Sequence, residues 1–93
     1  MTRPTYRTDF PNHCRTHMLD GLTLVFHRPS STTHFLASPM PEMLELLAET
    51  PMSAPLLCRT LCERFDLPHD DEALVVVEAR LGELIASGLA QAG

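Results

Sequence analysis

The chain has 93 residues, of which 44% are hydrophobic, and a formal net charge of −5. A domain of this size buries only about 60% of its unfolded surface, so the deep cavity of a larger enzyme is not expected, and we predict one small non-enzymatic domain that uses no cofactor. No apolar run approaches the roughly 20 residues of a membrane span, and the acidic balance disfavours phosphate binding, so neither a membrane nor nucleic acid is a predicted partner.

The first residues differ in character from the rest of the chain. Residues 1–15 contain Pro4 and Pro11 and show only weak secondary-structure patterns. We therefore expect an N-terminal arm or an additional strand there, and the folded domain over residues 16–93. Residues 1–15 lack an apolar signal segment, which predicts a cytoplasmic protein. Charge is uneven as well, because residues 1–37 sum to +2 and residues 38–93 to −7.

An antiparallel meander of three strands is predicted next. An Asp-Gly pair at positions 20–21 separates apolar runs and favours a tight hairpin between strands over residues 16–19 and 22–27. A turn over residues 28–32 leads to a short third strand over residues 33–36. In the second strand, period-2 alternation puts Leu22, Leu24 and Phe26 on one face and Thr23, Val25 and His27 on the other.

Two helices are predicted after the strands. Ser38 is placed as the N-cap of a first helix that begins at Pro39 and runs to about Glu49. Thr50 and Pro51 end that helix, and Ser53 caps the second one. The predicted inner face of the second helix consists of Leu57, Leu61 and Phe65.

A third helix is predicted from a cap at Asp70 or Asp71 to about Ser87, with Gly88 as its stop. Its expected core stripe is Leu74, Val77, Leu81, Leu84 and Ile85. Beside that stripe runs a lane of small apolar residues, Val75, Ala79, Gly82 and Ala86, while Val76 and Arg80 flank the stripe on the other side. Either strands of the same domain pack on this lane, or the lane is one wall of a groove for an added segment.

The elements together predict an α+β domain with a three-stranded antiparallel sheet followed by three helices, and the helices resemble a helix-turn-helix. The third helix of such a fold reads DNA only with a basic surface, and here five acids oppose Arg80 alone. Since the third strand is the last of the meander, it has a free edge unless residues 1–15 cover it. A free edge recruits a peptide through main-chain hydrogen bonds.

The cysteines and histidines suggest no metal centre and no disulfide. Cys58 and Cys62 lie four residues apart on the second helix, where the geometry for an S–S bond is poor and two further zinc ligands are lacking. Three possible ligands, His13, Cys14 and His17, fall within five residues, but without a supporting acid cluster we predict no metal site there.

Several hydrophobic patterns follow one another over about three quarters of the chain, from Met18 to Leu89. In order they are Leu24-Val25-Phe26, Thr33-His34-Phe35-Leu36, Met43-Leu44-Glu45-Leu46-Leu47, Leu57 to Phe65, and Leu81-Gly82-Glu83-Leu84-Ile85-Ala86-Ser87-Gly88-Leu89. Their order and spacing resemble the PqqD-like family of small peptide chaperones, also called RiPP recognition elements. The Thr-His-aromatic-Leu strand is most similar to the subgroup that accompanies an HPr-kinase-like protein.

The resemblance implies a winged helix-turn-helix-like fold. It also implies that the leader of a ribosomally made precursor peptide joins the sheet beside the third strand, against the third helix, and is presented to a peptide-modifying enzyme. The expected binding residues are Thr33, His34, Phe35 and Leu36 on the strand and Val75, Val76, Ala79, Arg80 and Gly82 on the helix, with either flank of that helix lining the groove. The same edge makes a homodimer possible. The alternatives are a winged-helix regulator and a scaffolding protein that binds no peptide.

Overall fold

The computed structural model of the chain describes residues 4–93, and within them it contains three helices and two antiparallel three-stranded sheets. The predicted α+β class, with a sheet followed by three helices, is therefore confirmed. Among the helices of residues 4–93, none has the length and apolar character that crossing a membrane takes. In chain order the elements are β1 (Thr5–Arg7), β2 (Cys14–Leu19), β3 (Leu22–His27), β4 (Thr32–Leu36), α1 (Met40–Glu49), β5 (Met52–Ser53), α2 (Ala54–Arg64), α3 (Asp71–Ala86) and β6 (Gln91–Ala92).

The larger sheet is the predicted meander, in the order β2-β3-β4. Asp20 and Gly21 form the hairpin turn, both at the positive φ angles, 48° and 79°, that a tight turn of this kind requires. The third strand of the sequence analysis is β4. Val25 is 1% exposed and faces the helices, so period-2 alternation turns Leu24, Phe26 and Phe35 to the opposite face of the sheet.

The smaller sheet joins the two ends of the described chain. β1 lies between β5 and β6, with Tyr6 opposite both Met52 and Ala92. Part of the predicted N-terminal arm is thus a strand, Cys14 and Arg15 already belong to β2, and residues 1–3 of the arm lie outside the described residues. In consequence, the strand residues among 4–15 pair elsewhere, and none of them pairs with the outer edge of β4.

The helix starts follow the predicted caps in two of three cases. The Ser53 hydroxyl accepts a hydrogen bond from the Leu56 amide at 3.3 Å, and the Asp70 carboxylate accepts one from Ala73 at 2.9 Å. The prediction that Ser38 caps α1 is wrong, because Pro39 occupies the cap position and α1 begins at Met40 with no side-chain cap. The turn that precedes α1 is closed instead by the backbone, through the Met40 amide and the carbonyl of Ala37.

The core lies between the three helices and the inner face of β3 and β4, and α3 contributes less to it than its sequence pattern predicts. Ile85, predicted as core, is 37% exposed because it sits at the margin of the stripe, and Leu74 is only half-buried. Phe65 is also wrongly predicted as core, since α2 ends at Arg64 and Phe65 points out of the bend that follows, 39% exposed. The largest fully buried side chains are Val25, Met43, Leu44, Leu46, Leu47, Leu57, Cys58, Leu81 and Leu84.

We predict that Met43→Ala lowers the free energy of unfolding by about 2–5 kcal/mol, because Met43 is fully buried and its loss leaves a cavity between helices. Met18→Ala is the matched control: its side chain is 71% exposed, so the change is expected to stay within about 0.5 kcal/mol. Urea denaturation of both variants measures the difference, and equal effects would contradict the described core.

Candidate peptide-binding site

The register of the larger sheet determines which main-chain groups of β4 point outward. The Arg28 amide donates to the His13 carbonyl at 2.9 Å, so the main-chain N–H and C=O groups of Arg28 point toward β2. The main-chain groups of neighbouring strand residues point in alternating directions. Those of His27 therefore point toward β4, where His27 pairs with Thr32. The even-numbered residues of β4 therefore bond to β3, and Thr33 and Phe35 direct their N–H and C=O groups away from the sheet.

The outer side of β4 is a sheet edge, since no strand within residues 4–93 pairs with it. The predicted strand residues divide between the two faces of this strand. Leu36 is buried and His34 half-buried on the inner face, where the His34 Nε2 atom lies 3.2 Å from the Thr32 hydroxyl. Thr33 and Phe35 lie on the outer face, and the Phe35 ring is 64% exposed.

The small-residue lane of α3 is an open surface. Val75 is 65% exposed, Ala79 and Gly82 are exposed too, and nothing lies within 4 Å of the position that a Cβ atom on Gly82 would occupy. The interpretation that strands of the same domain pack on this lane is therefore wrong for the described residues. The core contacts of α3 come from a different stripe, in which Val77 and Leu81 are buried.

The opposite flank of α3 lines an apolar depression, which we call the Pro39 cleft. Its deeper part, about 230 Å³, lies between α2 and α3 and extends to Pro39, just beyond β4. A shallower part of about 590 Å³ continues over the start of α1. The deeper part is lined by Pro39, Leu61, Cys62, Leu67, Pro68, Asp70, Glu72, Ala73, Val76 and Val77, and the shallower part by Ser38, Pro39, Glu42, Phe65 and Leu67.

The predicted helix residues are thus not gathered in one place. Val76, 44% exposed, is the one that lines the Pro39 cleft. Arg80 lies one turn further along the same flank, half-buried, where its guanidinium donates to the Glu83 carboxylate at 2.7 Å. The sequence does not decide which flank of α3 lines a groove, and in the structure the cleft lies on the flank of Val76.

Sequence reasoning missed the residues on the far wall of this cleft. Phe65, Leu67 and Pro68 belong to the bend between α2 and α3, and Leu67 is 47% exposed. The available signal was the presence of two large apolar residues and a proline in a short loop, where polar residues are usual. For Pro39 the sequence predicts a place in helix α1 and no part in a site.

The three cysteines are free thiols within the fold. Cys58 and Cys62 are buried on α2, and the Cys62 thiol donates to the Pro68 carbonyl at 3.5 Å. Burial raises the pKa of the Cys58 thiol to about 11, with a smaller effect from neighbouring Cys62. Within residues 4–93 no group of three or more possible ligands could hold a metal ion, and Cys14 and His17 lie on opposite faces of β2.

No family model, curated protein or solved structure matches the chain. What the site can do chemically therefore follows from its own geometry. That geometry combines an unpaired strand edge, which offers hydrogen-bond donors and acceptors, with an apolar cleft that begins three residues beyond the strand. Both features suit the binding of an extended chain.

We predict that Gly82→Ala raises the free energy of unfolding by about 0.5–1 kcal/mol, because Gly82 lies inside α3 with open space around it and alanine favours the helix. The same change at Gly88 has the opposite sign. Gly88 ends the helix at a φ of 82°, where a Cβ atom costs about 1–2 kcal/mol. Thermal unfolding of the two variants compares them, and a loss of stability in Gly82→Ala would mean that the lane is covered.

We also predict that stability falls between pH 9 and 11, in part through Cys58. Its pKa is raised from 9.0 to about 11 in the folded chain, so the unfolded chain loses the proton first. The stabilisation is complete below pH 9 and is lost as the pH rises toward 11. Urea denaturation at several pH values should show a shallower fall for Cys58→Ala than for the wild type, and identical slopes would contradict the assignment.

Proposed function

We propose that the chain is a non-enzymatic peptide chaperone of the cytoplasm, which binds the leader of a ribosomally made precursor peptide and presents it to a modifying enzyme. The peptide joins the larger sheet as a strand beside β4. The observation that carries the proposal is the unpaired edge of β4, and the resemblance to the PqqD-like family supports the choice of ligand.

The outward groups of β4 match what strand addition requires. Thr33 and Phe35 each offer one N–H donor and one C=O acceptor, and two residues of a strand are about 6.6 Å apart. An extended peptide repeats its own donors and acceptors at the same distance. Main-chain bonds at these two residues therefore fix the register of the peptide, and its alternate side chains are left to determine specificity.

The edge of β4 also lacks the devices that protect strand edges. Charged side chains, prolines and bulges commonly block such pairing, and β4 consists of Thr-Thr-His-Phe-Leu. The other edge of the sheet, on β2, is less receptive. It carries Arg15, and the outward amide of Cys14 already donates to the Pro11 carbonyl at 3.1 Å. This asymmetry favours β4 as the strand that receives the peptide.

The charge of α3 argues against the DNA-binding alternative. Its exposed surface carries Asp71, Glu72, Glu78 and Glu83, and its one arginine is ion-paired with Glu83. Phosphate groups are repelled by such a surface. A winged-helix regulator would need cations there, so peptide binding is the better account of the same helix.

The proposal is tested with Thr33→Pro and short peptides selected on the whole chain from a randomised display library. Proline removes the outward donor of Thr33, so we expect the dissociation constant to rise about tenfold or more. Thr16→Pro is the matched control, because Thr16 has the same outward orientation on the edge of β2. Fluorescence anisotropy measures binding, and circular dichroism confirms that both variants fold. Unchanged binding to Thr33→Pro, or equal losses in the two variants, would overturn strand addition at β4.

A further inference from the structure

The rim of the Pro39 cleft is acidic. Asp70 and Glu72 line its deeper part and Glu42 lines its shallower part, and neither part is lined by an arginine. The ion pairs of the described residues, Arg64–Glu49 and Arg80–Glu83, involve other carboxylates. The rim therefore presents three formal negative charges to whatever occupies the cleft, and the Asp70 carboxylate also caps the start of α3.

The floor and walls of the deeper part are apolar. Leu61 and Val77 are almost completely buried beneath it, and Leu67 and Val76 form walls that remain about half-exposed. A cavity of about 150 Å³ accommodates benzene, so the 230 Å³ found here hold one large apolar side chain. An aliphatic or aromatic side chain gains by leaving water for this surface.

The cleft lies within reach of a peptide bound to β4. Pro39 lies four positions after Phe35, the last outward-facing residue of the strand. That length of chain spans at most about 13 Å, so about four further residues of an extended peptide cover the distance. A peptide paired with β4 therefore needs only about four further residues to reach the Pro39 cleft.

We propose that the peptide segment adjoining the β4-paired residues carries a large apolar residue next to an arginine or lysine. The apolar side chain fills the Pro39 cleft, and the cation lies at the rim beside one or more of the carboxylates of Glu42, Asp70 and Glu72. This inference rests on the proposed strand addition and names the chemistry of the peptide that the site selects: apolar and basic, rather than acidic.

The first test is the composition of the peptides selected from a randomised display library on the whole chain. We expect enrichment of Arg or Lys beside Leu, Ile, Met or Phe, and weaker binding as NaCl is raised from 50 to 500 mM, because salt screens exposed charges. Selected peptides without basic residues would overturn the inference. A selection that yields no binder would overturn the proposed function as well.

The cleft itself is tested by Val76→Arg with Val75→Arg as its matched control. Both positions are exposed valines of α3, but only Val76 lines the cleft. An arginine at position 76 fills the cleft and repels the cation of the peptide, so we expect a loss of affinity of about tenfold or more. Val75→Arg should bind within about twofold of the wild type. Equal binding by the two variants, both verified as folded by thermal unfolding, would overturn the role of the cleft.

The acidic rim is tested by a double-mutant cycle. Glu72→Gln should weaken binding of a selected basic peptide about two- to fivefold, as expected for an exposed ion pair, and should have no effect once the basic residue of the peptide is replaced by glutamine. Glu78→Gln, at an exposed position of the same helix away from the cleft, is the control. Additive effects would reject the contact.

The two proposals fail in different ways. If Thr33→Pro abolishes binding while Val76→Arg and Glu72→Gln bind like the wild type, strand addition stands and the Pro39 cleft is not part of the site. If Thr33→Pro is silent and Val76→Arg abolishes binding, the peptide occupies the cleft without joining the sheet, and the proposed function is overturned.

Discussion

The burial of Val25 and Leu36 against the helices is the constraint on which the rest of the site depends. These two residues attach the larger sheet to the core through one face, at 1% and 5% exposure. Since strand residues alternate between faces, this attachment turns Phe35 outward. The register that places Val25 opposite His34 also fixes the hydrogen-bonding phase, and hence which amides of β4 remain unpaired. The packing of these two residues thus determines which side chains and which main-chain groups of β4 are available to a peptide.

The smaller sheet bears on the same edge indirectly. By pairing with β5 and β6, β1 holds residues 5–7 beside the end of the described chain, and the Thr8 hydroxyl adds a hydrogen bond of 2.5 Å to the Leu89 carbonyl. The strand of the N-terminal segment is therefore paired in the smaller sheet and not with β4. If it had paired with β4, the meander would have a fourth strand, and the most receptive edge of the domain would be closed.

Local chemistry accounts for what the sequence could predict. The Asp20-Gly21 hairpin, the Ser53 cap and the start of α3 at Asp70 each depend on neighbouring residues, and all three are confirmed. Strands β5 and β6 have two residues each, too short for any alternation to be recognised in the sequence. The flank of α3 that forms a cleft could not be predicted either, because that depends on where the bend after α2 places Leu67 and Pro68. The same bend explains the error at Phe65, where a helical pattern continued past the end of its helix.

Energetics explain why an edge alone is insufficient for tight binding. Thr33 and Phe35 offer four hydrogen bonds, each worth about 0.5–1.5 kcal/mol after exchange with water. Ordering about four peptide residues costs about 1–2 kcal/mol each, which cancels or exceeds that gain. The surplus has to come from side chains, and burying one large apolar side chain contributes about 1.5–3 kcal/mol. Tight binding of a peptide at this edge would therefore require an adjoining apolar cleft, and the Pro39 cleft lies where the strand ends.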